Sequence, residues 1–216
     1  MSPSDSIDRS DFRNVMISGR NVGALTALTV VVFSLVAQGI APGLARDVVL
    51  SVLVLAAAVL VTFLPGYWVV SRGTEGVAGA AAVGLWGTVV FMIIDVALFR
   101  PFDHFGRMTH FVVYPWTWDA IGGGSTWWYL PMWWMLGTLV AWLGGVLTAA
   151  RSARGAATII QIATPVIVGS LVLFIAGKVA GLPVFAPVLV GAGFVVSLVA
   201  LAVTALARDG AQKETA

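Results

Sequence analysis

The chain has 216 residues, of which 59% are hydrophobic and only 10% charged, with a mean hydropathy of +0.97. A soluble domain carries about a quarter charged residues, so this chain lacks the polar surface to cover a water-facing globule, and lipid is the expected solvent. The net charge of +2 is too small to suggest nucleic acid, and the absence of cysteine excludes disulfides, thiolate metal sites and a cysteine nucleophile.

Residues 1–21 form a polar segment containing Asp5, Asp8, Arg9, Asp11, Arg13 and Arg20. It is expected to be a short cytoplasmic tail. The apolar run that follows is expected to be a retained helix and not a cleaved signal. Charged residues then divide the chain into six apolar stretches, each able to supply the roughly 20 residues that a membrane-crossing helix needs. The expected spans are Val22–Ile40, Val48–Val70, Val77–Phe99, Trp127–Ala149, Ala157–Lys178 and Val184–Ala207. The runs are continuously apolar, without the alternation of a membrane barrel. The fold class is therefore an all-α integral membrane protein, a polytopic bundle of six transmembrane helices over residues 22–207, with a second polar tail at 208–216.

With both termini inside, Arg9, Arg13, Arg20, Arg72, Arg151, Arg154, Arg208 and Lys213 face the cytoplasm, against Arg46, Arg100, Arg107 and Lys178 outside. This asymmetry favours cytoplasmic termini in a bacterial inner membrane. Within the third span, Gly76, Ala80, Gly84 and Thr88 share one stripe. In the fourth, Gly137, Ala141 and Gly145 do the same. Small residues at this spacing let helices approach closely in lipid, so both stripes are expected to be internal seams. Pro65 and Pro165 lie inside spans, where each removes a backbone donor.

The longest connection, at about 100–126, falls on the outer side. It holds Asp103, His104, Arg107, His110 and Asp119. His104 and His110 are six apart, which on a helix is about 600° of rotation, so they chelate a metal only from an irregular loop. With Asp103 they are weak candidates for a metal site. Six of the nine tryptophans lie from Trp116 to Trp134. Trp127 and Trp128 suit an interfacial aromatic belt. Trp116 and Trp118 could instead line a ligand wall or a docking surface.

Two ionisable groups point to the same side. Asp95 follows Thr88 by seven residues, which places it on the small-residue face and looking into the bundle. It lies about five residues, or roughly 7 Å, inside the outer end of its helix. Lys178 closes the fifth span at a similar level. Intramembrane ionisable groups are functional by default; a structural Asp95–Lys178 or Asp95–Arg100 pair, or a snorkelling Lys178, is the alternative. Enzyme signatures are absent: there is no GxSxG element, no HExxH, and Gly122–Gly123–Gly124–Ser125 lacks the lysine of a phosphate loop.

Three functions fit these residues. The first is a non-catalytic subunit or scaffold of a membrane complex that docks through the aromatic outer loop onto partner membrane proteins or a second copy. The second is a binding protein or transporter for a small apolar or aromatic solute. The third is a metal-dependent membrane enzyme using Asp103, His104 and His110.

Overall fold

In a membrane each backbone polar group has to be satisfied within the protein, and the six apolar runs do this as helices. The computed structural model describes residues 11–69, 73–99, 101, 126–152 and 158–214, with side chains over 11–69, 73–99, 101, 135–152 and 158–208. The helices are α1 (Phe12–Gly39), α2 (Leu44–Trp68), α3 (Thr74–Ile94), α4 (Thr126–Ser152), α5 (Ile159–Val179) and α6 (Ala186–Glu214). All six are long and apolar enough to cross a membrane. Among the described residues there is no strand.

The largest departures from the expected boundaries are at the two ends of the bundle's sequence. Helix α1 starts at Phe12, ten residues before the first apolar run, because Asp11 caps it by accepting from the Asn14 backbone N–H. Helix α6 continues through Arg208 to Glu214. Composition places a boundary where hydropathy falls, but a helix runs on as long as its own hydrogen bonds are met.

The close contacts fix the helix directions. On α3 and α4, Thr88 faces Gly137, Gly84 faces Ala141, and Ala80 faces Gly145. Rising numbers on one helix meet falling numbers on the other, so the pair is antiparallel. This is the seam expected from the two small-residue stripes. Helices α1 and α3 meet at Gly19, Gly23 and Gly87. A Cβ on Gly23 would stand 2.6 Å from the Gly87 carbonyl oxygen, and one on Gly87 would stand 3.2 Å from the Gly19 carbonyl oxygen. Further along, Ala27 packs with Phe91 and Phe99. Here the numbers rise together, so α1 and α3 run parallel. This second seam was not expected, since Gly19 falls within the supposed tail.

Helix α2 touches all five other helices, and α1, α3, α4, α6 and α5 follow one another around it in an open ring. The main core lies among α2, α4, α5 and α6, where Phe63, Leu143, Ile162, Val166, Phe194 and Leu198 are buried. Hydrocarbon gives helices no hydrophobic reason to associate, so close backbone packing and a few hydroxyls hold the bundle. Ser170 on α5 donates to the Val190 carbonyl on α6 at 2.8 Å. Large apolar side chains such as Val52, Ile93, Val172 and Val203 point outward, as a lipid solvent requires.

The α5–α6 turn is closed by its backbone. Gly181 takes φ +70, while Leu182 N–H donates to the Gly177 carbonyl and Gly181 N–H to that of Lys178, each at 3.0 Å. This is a Schellman cap, which calls for a residue in the left-handed region. Gly181→Ala is expected to cost about 1–2 kcal/mol, measured as a fall in thermal unfolding temperature in nanodiscs.

Candidate functional site

The end of the bundle where α3 finishes and α4 begins carries the one buried carboxylate among the described residues. Asp95 is 1% exposed. The seven-residue step from Thr88 therefore reads correctly: both side chains face the bundle interior, and Thr88 is also buried.

Local structure departs from an ordinary helix at this point. From Asp95 to Phe99 the chain makes a π-helical turn. Such wider turns inserted in helices are frequent at functional sites. The turn brings the Phe91 and Phe99 rings edge to face, with centroids 6.5 Å apart. Around them pack Ala27, Val30, Val31 and Ile94. One turn further along α1, the fully buried Ser34 donates to the Val30 carbonyl at 2.8 Å, and Gln38 Nε2 donates to the Ser34 carbonyl at 3.0 Å. Asp95 is thus buried on the stretch of α3 that carries this aromatic and aliphatic cluster. Asp95, Ser34 and Gln38 each make a further interaction.

Lys178 is not brought to Asp95. It is exposed on α5, a helix that packs chiefly on α6. Its Nζ donates to the Val184 carbonyl at 3.1 Å and lies 6.0 Å from the centroid of the Phe174 ring. A cation in the last turn also suits the negative end of the helix dipole. Lys178 is thus a strut of the α5–α6 turn, and the Asp95–Lys178 pair considered from sequence does not form.

Other sequence candidates fall elsewhere. Asp103, His104, His110, Trp116 and Trp118 lie outside the described residues, as do Arg100 and Arg107. Trp127 and Trp128 stand in the first turn of α4, with their side chains outside the described set. Among the described residues no three His, Cys, Asp or Glu side chains come together as metal ligands. Sequence reading missed Phe91, Phe99 and Ser34. The phenyl pair had a legible signal, since both residues lie four positions from Asp95. Ser34 needed the α1–α3 register.

No protein-family model, curated protein or solved structure matches this chain.

Proposed function

We propose that the chain is a non-catalytic subunit or scaffold of a membrane protein complex, seated in a bacterial inner membrane with both termini cytoplasmic and docking through its aromatic outer segment. The observation that carries this reading is how the interior is filled. The seams are closed by backbone-to-backbone approach at Gly84, Gly87 and Gly144. Buried hydroxyls of Ser34, Thr88 and Thr148 are spent on carbonyls of their own helices, at 2.8, 2.9 and 2.7 Å. Within the described spans this supports packing as their purpose and gives no polar track for an ion or solute. Basic residues support the orientation. Arg13, Arg151 and Arg208 are exposed at the end where α1 begins and α4 and α6 finish. The tally is eight basic residues inside to four outside.

The test is native mass spectrometry on protein extracted in nanodiscs from its own host. The expected mass lies well above any multiple of 22.6 kDa and resolves into other polypeptides. A bare monomer or homo-oligomer would overturn the reading.

Asp95 supports a second reading, a binding protein or transporter for a small apolar or aromatic solute. Its carboxylate is buried at the start of a π-turn whose other end carries Phe99, packed on Phe91, and one buried polar group beside apolar side chains suits such a site.

A further inference from the structure

We infer that the gap in the helix ring between α1 and α5 holds one anionic phospholipid, with an acyl chain laid along α2 and the phosphate on Arg46. The inference is independent of the subunit and solute readings.

The gap follows from the packing. Neighbouring helices of the ring touch one another from α1 through α3, α4 and α6 to α5, and the ring stays open between α5 and α1. A side chain of α2 left exposed therefore faces this gap. Val49, Val52 and Leu60 are 38, 59 and 37% exposed, and Ala56 is exposed with them. Their spacing of three, four and four puts them on one stripe. The stripe ends at Phe63, which is fully buried in the core with Ile162 and Val166 of α5. Beyond Ser170, α5 is bare apart from its α6 seam: from Leu171 to Ala180 only Gly177 is buried, facing Leu189. The recess is thus floored by α2, walled by α1 and the second half of α5, and shut at its deep end.

Depth selects the occupant. From Val49 to Leu60 is about 17 Å of helix, close to the roughly 15 Å of hydrocarbon in one leaflet. A spanning helix of a partner needs a groove about 30 Å long, and the burial of Phe63 by α5 closes the groove short of that. A second copy presents the same recess, and two recesses do not fill each other. An acyl chain matches both the depth and the apolar floor.

The rim supplies the headgroup contact. Arg46 stands in the first turn of α2, three residues before Val49 and so on the same side of the helix. Its side chain is half-buried, and its Nε is buried with no hydrogen-bond partner among the described residues. A guanidinium presents a planar fork of donors that suits a phosphate. Asp47, the next residue, is turned about 100° away round the helix. Lys178 closes the opposite wall with a second cation, which donates to the Val184 carbonyl and has further donors to offer.

The experiment titrates phosphatidylglycerol and phosphatidylcholine separately into delipidated protein in detergent and counts bound lipids by native mass spectrometry. The wild type is expected to hold one phosphatidylglycerol about fivefold more tightly than phosphatidylcholine. Arg46→Gln should lose that preference, and Arg46→Lys should keep most of it. Ala56→Trp, which fills the recess, should weaken both lipids roughly tenfold. Val203→Trp, on the outward face of α6, should bind as the wild type does. Val52→Trp repeats the block on a side chain that already points outward, so a folding defect in Ala56→Trp leaves the test intact. Four outcomes overturn the inference: wild-type binding by both filled variants, no preference between the lipids in the wild type, release of the lipid by millimolar inorganic phosphate, or a polypeptide retained in its place.

Discussion

Gly144→Ala should destabilise the bundle by about 1–3 kcal/mol, the range for forcing a methyl into a filled core, and Gly144→Leu should stop the helices from assembling. A Cβ at Gly144 would run into the Thr62 carbonyl group, which belongs to the α2 backbone. A side chain can rotate away from such a clash, but a backbone has to translate, and α2 touches every other helix. Gly84 belongs to the same class, since its Cβ would meet Ala141 and the Gly137 carbonyl oxygen. The controls are Gly39→Ala and Gly73→Ala, where the added methyl meets nothing within 4 Å. Thermal unfolding in nanodiscs, followed by tryptophan fluorescence, should separate the two groups. Equal unfolding temperatures for Gly144→Ala and Gly39→Ala would show that the helices do not depend on close approach.

The difference between the two glycine seams shows what a sequence can reveal about this fold. Gly84 and Gly137 sit in apolar runs, where small residues four apart have an obvious purpose in lipid. Gly19 and Gly23 have the same spacing, but they straddle Arg20 and Asn21. Polarity there signals a tail, and only the register with Trp86 and Gly87 shows that the segment packs against the middle of α3. The six spans were legible because apolar length is a one-dimensional property. The inward direction of Asp95 was legible because helical angle is local. Its π-turn was not, since nothing in the string Asp95–Phe99 marks a wider turn. Nor was the use of Lys178 as a strut, which depends on the chain reversing at Gly181 to bring the Val184 carbonyl back within reach.

Asp95 separates the two functional readings most sharply. Asp95→Asn keeps the volume and the acceptor oxygen while removing the charge, so the bundle should fold with little loss. Asp95→Leu also removes the acceptor. Asp95 is buried and engaged in an interaction, and a partner group left unsatisfied in the interior costs about 1–3 kcal/mol. The subunit reading expects Asp95→Asn to assemble with its partners at wild-type stoichiometry, because docking lies on the outer segment and not in the α1–α3 interior. The solute reading expects assembly to be irrelevant and uptake to fall at least tenfold, because Asp95 is the one buried carboxylate among the described residues. Measuring complex mass and solute retention on the same Asp95→Asn preparation decides between them. Intact assembly without any retained solute in either wild type or variant supports the scaffold. Solute bound by the wild type and absent from the variant transfers the function to the π-turn.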